Sequence, residues 1–525
     1  MVAGREATVV TAPGHAPAPA GSGPTSARLR AAVARPDVLA ALIIVLVAAG
    51  LRVAFSPGAP VFVHGDTYQY YRTAADLATG ESFDLPLKRP PLYPAFMAAV
   101  WLAAGEAPSN TVAAQHMLGV GTALLAFGIG HLTFGRVVGV LAGLISAVAG
   151  GMLVYEHYLL SESLFAFLLT LGVLLYVCAL RRGGRWWYAG AGIAVALATL
   201  TRVQAQVLVV AAPVVALACC RGWSREMRGT VLAAVVAGAI LVPWMARNRA
   251  VHGELTIADQ GGQPLIARML VHNPGAFVFY DRENPPHDDD DNLERARRSI
   301  QRRADEKLRN PSADIFGITV HTALTRELEI GEGEADRLMR RVAFDVIRER
   351  PLAYARIVLK DIGHIFLAEP DPFARHWQAH QDLIRSRNNP PPRQLRAFVG
   401  PPNPEQEQAY PITERLASLY QSTWLGPIVP LLALVGLLAA ARTPAWRPAL
   451  APGLAAILLQ AAGLAVIGLA ERYRQPTEPL VHVMAFGGLL FLARAAYARL
   501  GQRRRVLDAE RQGTSTGASS TRVSS

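Results

Sequence analysis

The sequence predicts an all-α polytopic membrane protein with about ten transmembrane helices and a mainly helical extracytoplasmic insert. The chain has 525 residues, of which 51% are hydrophobic and only 18% are charged, against about 25% charged residues in a soluble domain. Its mean hydropathy is +0.24. Apolar runs recur along the chain, most of them near the roughly 20 residues that a helix needs to cross a bilayer, and one hydrophilic stretch of domain length interrupts them.

This composition excludes a disordered protein and a purely soluble enzyme. It also excludes a disulfide scaffold, because the three cysteines, Cys178, Cys219 and Cys220, all lie within or at the end of apolar runs. The net charge of +12 comes almost wholly from Arg. We expect no nucleic-acid partner, because the distribution of these arginines follows the membrane.

The arginines orient the chain through the positive-inside rule. With the N-terminus in the cytoplasm, the compact Arg clusters beside the spans fall on the cytoplasmic side: Arg136; Arg181, Arg182 and Arg185; Arg221, Arg225 and Arg228; Arg442 and Arg447; Arg494, Arg499 and Arg503 to Arg505. We therefore expect a multi-pass protein of the cytoplasmic membrane with both termini in the cytoplasm.

The N-terminal segment 1–37 is rich in Ala, Pro, Gly and Ser and is predicted to be a disordered cytoplasmic tail. A signal peptide is the alternative interpretation, since basic residues precede an apolar run. The predicted spans follow at 38–55, 113–133, 137–155, 159–180, 187–200, 203–220, 229–246, 424–441, 449–470 and 477–494.

Two stretches need separate interpretation. The apolar stretch 187–220 is too long for one helix across about 30 Å of hydrocarbon, and Arg202 and Pro213 interrupt it. We predict two short spans that meet near Arg202. The run 92–104 is too short for a span, and we predict an interfacial or re-entrant helix.

The topology divides the chain into five parts. The tail 1–37 precedes an N-terminal transmembrane module, 38–246, whose first outer loop is 56–112. An extracytoplasmic insert, 247–423, contains amphipathic helical patterns such as 335–366. The C-terminal transmembrane helices, 424–494, precede a basic and disordered cytoplasmic tail, 495–525.

Asp66, in the first outer loop, is the strongest candidate for a catalytic residue. A carboxylate at the outer face of the membrane can take a proton from an acceptor hydroxyl as a general base. The alternative is structural, because Asp66 precedes a helix-like stretch and Asp is a good N-cap.

Four segments resemble the GT-C superfamily of integral-membrane glycosyltransferases, above all its family 39 and protein-mannosyltransferase-like group. They are Asp66 with Tyr68 followed by Arg89-Pro-Pro-Leu-Tyr-Pro94; Tyr155 to Glu162; Pro243-Trp-Met-Ala-Arg-Asn248; and Glu471 to Pro479. The likeness covers about 38–250 and 424–494, and the predicted topology places all four segments on the outer side.

The resemblance implies a GT-C-like helix bundle that transfers a hexose or pentose from a polyprenyl-phosphate donor to a lipid, glycan or protein acceptor outside the membrane, with inversion. Asp66 is then the catalytic base. Arginine suits the donor phosphate because its planar fork makes two charge-assisted bonds, and the candidates are Arg89, Arg202, Arg247, Arg472 and Arg474. Candidates for contact with the sugar or the acceptor are Tyr68, Tyr93, His157, Glu162 and Tyr473.

Several alternatives stay open at this point. Arg247 and Arg474 also suit plain interfacial anchoring, and Arg52 suits a snorkelling role near the end of its span. Some relatives carry an acidic metal ligand where this chain has Lys88, so a divalent metal is possible but unsupported. His376 and His380 also admit a weak zinc interpretation.

Two other functions compete with the transferase. A transporter or flippase for a lipid-linked or anionic substrate would also place arginines at membrane depth. A polymer ligase that uses a diphosphate-linked glycan would share the enzyme class but differ in its donor.

Overall fold

A computed structural model describes most of the chain. The described residues are 36–81, 85, 87–219, 224–258, 261–272, 275–281, 283, 290–311, 317–367, 372–386, 391–419, 427–466 and 471–517. Nearly all of the predicted N-terminal tail therefore lies outside the described residues. Within them the secondary structure is helical, apart from one isolated parallel bridge between Phe62 and Tyr158. The prediction of an all-α protein is confirmed.

Ten helices make up the N-terminal half. They are α1 Pro36–Phe55, α2 Thr67–Thr79, α3 Leu92–Ala104, α4 Pro108–Thr133, α5 Arg136–Val148, α6 Gly150–Glu156, α7 Glu162–Arg182, α8 Arg185–Thr201, α9 Gln206–Cys219 and α10 Arg225–His252.

Eight of the remaining described helices lie in the hydrophilic insert, and three follow it. They are α11 Gly262–His272, α12 Asp291–Arg309, α13 Gly317–Leu328, α14 Glu332–Glu349, α15 Pro351–Leu367, α16 Phe373–Arg385, α17 Arg393–Arg396, α18 Pro404–Ala417, α19 Ile428–Arg442, α20 Leu450–Val466 and α21 Glu478–Gly517.

The protein is a multi-pass membrane protein by the length and composition of its helices. Among the described residues, five helical stretches are long and apolar enough to cross a bilayer, and the bent pair α5–α6 makes a sixth if it is one span. The five stretches are Pro36–Gly58, Pro108–Thr133, Glu162–Arg182, Arg225–His252 and Gln475–Arg505. The predicted count of ten spans is not confirmed by this criterion and stays a prediction.

The long apolar stretch after residue 187 breaks at Arg202, as the sequence predicts. Helix α8 ends at Thr201, and Arg202 has an extended backbone with φ −147° and ψ 120°. Pro213, by contrast, lies inside helix α9 and does not interrupt it. The run 92–104 forms helix α3, which Gly105 ends with a positive φ of 94° that residues with a Cβ seldom adopt.

The C-terminal end differs from the expectation of a disordered tail from residue 495. Helix α21 continues through Gly517, and of the predicted tail 495–525 only 518–525 lie outside the described residues. The stretch holds Arg499 and Arg503 to Arg505 among good helix formers, so helical propensity carries the span beyond its apolar part.

The side chains pack into two main hydrophobic cores. The larger joins the membrane helices to the outer loop and includes Tyr71, Tyr93 and Phe165, which are almost fully buried. The second lies within the insert, where helices α11 to α15 bury residues such as Met269 and Val342. Helices α16 and α18 pack on the larger core instead, so the insert is divided between the two cores.

A buried ion pair ties the first helix to the end of α6. Arg52 is 3% exposed and Glu156 is 1% exposed. The Arg52 guanidinium donates from Nε to Glu156 Oε2 over 2.8 Å and from Nη2 to Oε1 over 2.5 Å, and His116 Nδ1 lies 2.7 Å from Oε2. Arg52 is therefore not a snorkelling residue, and its charge is satisfied inside the bundle.

We expect Glu156→Gln to destabilise the protein by about 3–5 kcal/mol, because it leaves the Arg52 charge buried without a counter-ion. The measurement is reversible unfolding of the purified protein in detergent. Arg136→Gln is the matched control, since the Arg136–Asp37 pair is half exposed and such pairs contribute about 0–1 kcal/mol. Equal stability of the Glu156 variant and the control would contradict the prediction.

Candidate functional site

The site begins with the loop that carries Asp66. Phe62 N–H donates to His157 O over 2.9 Å, and Leu159 N–H donates back to Phe62 O over 3.3 Å. Thr67 Oγ1 then donates to Leu159 O over 3.2 Å. These bonds hold the start of α2 against the segment 157–162, so Asp66 lies beside the start of α7.

Asp66 occupies the N-cap position of α2, but its side chain makes no capping hydrogen bond. Its carboxylate instead accepts from two guanidinium groups: Arg89 Nη2 contacts Oδ1, and Arg472 Nη2 lies 2.9 Å from Oδ2. The structural alternative for Asp66 is therefore wrong in this fold. The carboxylate is directed at one arginine from its own loop, Arg89, and at one from a distant part of the chain, Arg472.

Arg89 is held on three sides. Its Nε donates to Gln69 Oε1 over 2.8 Å, its Nη2 contacts Asp66, and its guanidinium lies 5.2 Å from the centre of the Tyr70 ring. Gln69 and Tyr70 lie one turn along α2 from Asp66, where residues three and four apart share a helix face. Helix α2 thus positions both the carboxylate and its first cation.

Glu162 and Arg202 form the second pair of the site. Arg202 Nη1 donates to Glu162 Oε1 over 2.5 Å, and Arg472 Nε lies 3.9 Å from the same oxygen. The guanidinium groups of Arg202 and Arg472 lie 4.7 and 5.2 Å from the centre of the Tyr473 ring. Arg472 therefore bridges the two carboxylates, and both guanidinium groups lie over the Tyr473 ring.

These groups surround one cavity, which we call the Asp66 cavity. It has a volume of about 30 Å³ and is partly open to solvent. It is lined by Asp66, Tyr70, Arg89, Pro90, Leu160, Ser161, Glu162, Thr201, Arg202, Val203, Gln204, Arg472 and Tyr473. Three guanidinium groups face two carboxylates, so the cavity has one surplus positive charge. Such a site favours an anion.

The electrostatics keep Asp66 ionised. Burial in the cavity would raise the pKa of this carboxyl, but the charges of Arg89 and Arg472 outweigh it and hold the pKa well below its usual range. Burial and the neighbouring Arg89 lower the pKa of Lys88. In the absence of a ligand, the arginines of the cavity are paired with its own carboxylates.

One carboxylate oxygen of Glu162 has no hydrogen-bond partner among the described residues. Oε2 is buried, and the whole residue is only 2% exposed. A buried carboxylate oxygen without a donor is costly.

The sequence-predicted residues divide into two groups. Asp66, Arg89, Glu162, Arg202, Arg472 and Tyr473 line the cavity. The structure places the other five candidates elsewhere: Tyr68, Tyr93, His157, Arg247 and Arg474.

Those five side chains have other surroundings. Tyr93 is buried and its hydroxyl donates to Gln115 Oε1 over 3.0 Å. His157 is buried with Nδ1 3.1 Å from Pro60 O. Arg247 lies near Asn248 and over the Trp244 ring, and Arg474 pairs with Glu478 at 3.2 Å. The Tyr68 ring packs against the larger core.

Sequence reasoning missed five polar or aromatic residues that line or support the cavity: Gln69, Tyr70, Ser161, Thr201 and Gln204. The helical spacing from Asp66 was a signal for Gln69 and Tyr70. Adjacency to the candidates Glu162 and Arg202 was the signal for the other three, but only the tertiary structure shows that their side chains line the cavity.

The His, Cys, Asp and Glu side chains were compared with the arrangement that a metal ion needs. Over the part of the chain that the structure describes, no group of three His, Cys, Asp or Glu side chains is arranged to hold an ion. The two histidines with a weak zinc interpretation have other partners, since His376 Nδ1 lies 3.1 Å from the Tyr158 hydroxyl and His380 Nδ1 accepts from Val63 N–H over 3.3 Å.

Comparison with known families supports the resemblance seen in the motifs. Residues 88–246 match the family model described as dolichyl-phosphate-mannose-protein mannosyltransferase. The matched region is under a third of the chain and includes Arg89, Glu162 and Arg202. The predicted likeness to protein mannosyltransferases is confirmed for this region. No curated protein sequence matches the chain.

Solved structures give a more distant likeness. The archaeal oligosaccharyltransferase AglB from Archaeoglobus fulgidus, in complex with an inhibitory peptide and a dolichol-phosphate, is 13% identical with a TM-score of 0.44, over 90% of this chain and 52% of that one. ArnT from Cupriavidus metallidurans, bound to undecaprenyl phosphate, is 13% identical with a TM-score of 0.35, over 89% of this chain and 78% of that one. The chain thus spans about half the length of the archaeal enzyme, and neither likeness is close enough to transfer a function.

The arrangement around Asp66 predicts a shifted titration. We expect Asp66 to remain ionised well below pH 4, because its pKa is lowered by two guanidinium charges, and we expect Arg472→Gln to raise its pKa toward the ordinary Asp value of about 4. Infrared difference spectra on acidification, with Asp66→Asn as the reference, would follow the protonated carboxyl band.

The lowered pKa of Asp66 also makes the stability of the fold depend on pH. Because the pKa in the folded state is depressed, the ion pairs stabilise the fold above the unfolded-state pKa and this stabilisation is lost as the pH falls toward the lower value. A carboxyl band of Asp66 that appears at the same pH in the wild type and in Arg472→Gln would contradict the assignment of Arg472 as its partner.

Proposed function

We propose that this chain is a membrane glycosyltransferase that moves a sugar from a polyprenyl-phosphate donor to an acceptor hydroxyl outside the cytoplasmic membrane. One observation carries the proposal: Asp66 shares a single cavity with three arginines, and this cavity has a surplus positive charge. A general base beside an anion site is what transfer from a sugar phosphate requires.

The donor phosphate would bind among Arg89, Arg202 and Arg472. Its leaving group is a phosphate monoester whose negative charge grows as the glycosidic bond breaks. Guanidinium groups that are already fixed by neighbouring side chains stabilise that charge without reorganisation. Gln69 and Tyr70 fix Arg89, and Glu162 and Tyr473 fix Arg202.

Donor binding would also activate the base. While Arg89 and Arg472 hold Asp66, its depressed pKa makes it a weak proton acceptor. A phosphate competes for the same two guanidinium groups, and as they turn toward it the cause of the low pKa is removed. Asp66 then becomes a stronger base only when a donor is present.

The chemical step is a single displacement at the anomeric carbon. The acceptor oxygen forms the new glycosidic bond, the bond from the anomeric carbon to the phosphate oxygen breaks, and the hydroxyl proton passes to Asp66. One displacement inverts the anomeric configuration. The free oxygen of Glu162 would accept a hydrogen bond from a hydroxyl of the sugar.

The proposed orientation in the membrane follows from the arginines that flank the spans. With both termini in the cytoplasm, these compact clusters lie inside and the Asp66 cavity lies at the outer face. A lipid-linked donor in the outer leaflet would then reach the cavity from the bilayer.

We expect Asp66→Asn to lower the rate of sugar transfer by about 10²–10⁴-fold, the usual contribution of a general base. Binding of polyprenyl phosphate should be retained, because removal of a negative charge leaves the cavity more positive. The measurement is transfer from a radiolabelled lipid monophosphate sugar, with a diphosphate-linked glycan as the comparison donor and Glu405→Gln, on the exposed surface, as the control. Full transfer by Asp66→Asn would overturn the mechanism, and use of the diphosphate donor alone would favour the ligase.

We expect Arg472→Gln and Arg202→Gln each to weaken binding of polyprenyl phosphate by about 10–100-fold, since a hydrogen bond to a charged group contributes about 1.5–3 kcal/mol. Arg249→Gln is the control, because Arg249 is exposed at the end of α10 and bonds only its own helix terminus. Binding is measured by quenching of a fluorescent polyprenyl phosphate. Equal affinities in all three variants would exclude the cavity as the phosphate site.

A further inference from the structure

A second and larger cavity adjoins the first along helix α2. It has a volume of about 770 Å³ and is open to solvent. Four residues on α2 line one side of it: Gln69, Arg72, Thr73 and Asp76. The start of α14 lines the other side. We call this space the α2–α14 cavity.

A single layer of side chains separates the two cavities. Gln69 lines the α2–α14 cavity and accepts a hydrogen bond from Arg89 Nε over 2.8 Å. Arg89 lines the Asp66 cavity and contacts the Asp66 carboxylate. Asp66, Gln69, Thr73 and Asp76 recur at helical spacing, so one face of α2 runs from the proposed base into the second cavity.

The two cavities have opposite charge balance. Asp76, Glu332 and Glu334 bring three carboxylates to the α2–α14 cavity, against the guanidinium groups of Arg72 and Arg337. Arg337 is engaged with Glu254, its Nη1 lying 2.5 Å from Glu254 Oε1. The α2–α14 cavity is therefore acidic, whereas the Asp66 cavity is basic. A phosphate is attracted to one and repelled by the other.

The lining also excludes a lipid chain as the occupant. Among the described residues that line the cavity, Leu87 is the one large apolar side chain, and the remainder are polar, charged or glycine. Buried hydrocarbon would gain little there. Carboxylates, an amide and a threonine hydroxyl instead match a molecule with many hydroxyl groups, which donate to carboxylates and accept from guanidinium and amide N–H groups.

We infer that the α2–α14 cavity binds the acceptor, and that the acceptor is a glycan without negative charge. This inference rests on the proposed glycosyl transfer. A neutral or amino-bearing sugar unit in the cavity places its neighbouring unit against the Gln69–Arg89 layer, and a hydroxyl of that unit reaches Asp66 as Arg89 turns toward the donor phosphate. That hydroxyl oxygen bonds to the anomeric carbon of the donor sugar, its proton goes to Asp66, and the polyprenyl phosphate leaves. The acidic lining keeps the donor phosphate in the other cavity.

The test is direct binding of tetrasaccharides to the full-length Asp66→Asn protein in nanodiscs, so that no transfer is needed. The probes are the neutral tetramer of N-acetylglucosamine, its deacetylated cationic form, a tetramer of galacturonic acid and a serine-rich peptide. We expect the neutral and cationic tetramers to bind at least tenfold more tightly than the anionic one, and more tightly than the peptide.

The double variant Asp76→Asn with Glu332→Gln should weaken binding of the cationic tetramer about tenfold or more. Glu405→Gln is the matched control, since it removes an exposed carboxylate far along the chain on α18. Thermal unfolding of each variant verifies that it is folded. Unchanged glycan binding in the double variant would overturn the assignment of the cavity.

The experiment also distinguishes failure of this inference from failure of the proposed function. Binding of polyprenyl phosphate, measured on the same preparations, tests the Asp66 cavity alone. Preference for the anionic tetramer or for the peptide, with lipid phosphate binding intact, would overturn only the acceptor inference. If the wild type did not bind polyprenyl phosphate specifically, the proposed transfer itself would be overturned.

Discussion

The arrangement of the Asp66 cavity depends on the Asp66 carboxylate, which two arginines share. Arg89 approaches it from the same loop, and Arg472 approaches it from 406 residues further along the chain. Because Arg472 also faces Glu162, the first outer loop, the start of α7 and the segment before α21 meet at one point. Ionic groups in a low-dielectric region tolerate little displacement, so this junction fixes the geometry of the cavity.

A second buried ion pair supports the first from behind. Arg52 and Glu156 lock helix α1 to the segment that leads to Glu162, and the bridge between Phe62 and Tyr158 binds the Asp66 loop to the same segment. Both carboxylates of the cavity therefore depend on residues 156–162. Replacement of such pairs by apolar groups is often neutral for stability, which suggests that they serve to hold functional groups in register.

We propose that the two adjoining cavities divide the substrates by charge. Three arginines face two carboxylates around Asp66, while carboxylates predominate between α2 and α14. Helix α2 belongs to both, and it carries the proposed base at one end and the proposed acceptor lining along its face. The insert contributes α14 to this arrangement, and under the same proposal it takes part in the choice of acceptor.

The sequence by itself determined the helical membrane architecture, the break at Arg202 and the short helix at 92–104, because apolar run length and charge placement are local properties. It also supplied six of the thirteen residues that line the cavity, but it did not determine which arginines converge. Arg247 and Arg474 have the same residue type as Arg202 and Arg472, yet their local partners hold them outside the cavity. The sequence also suits Arg52 to a snorkelling role, because its counter-ion, Glu156, is distant in sequence. Only tertiary packing decides which distant charges meet, and buried ions require that meeting.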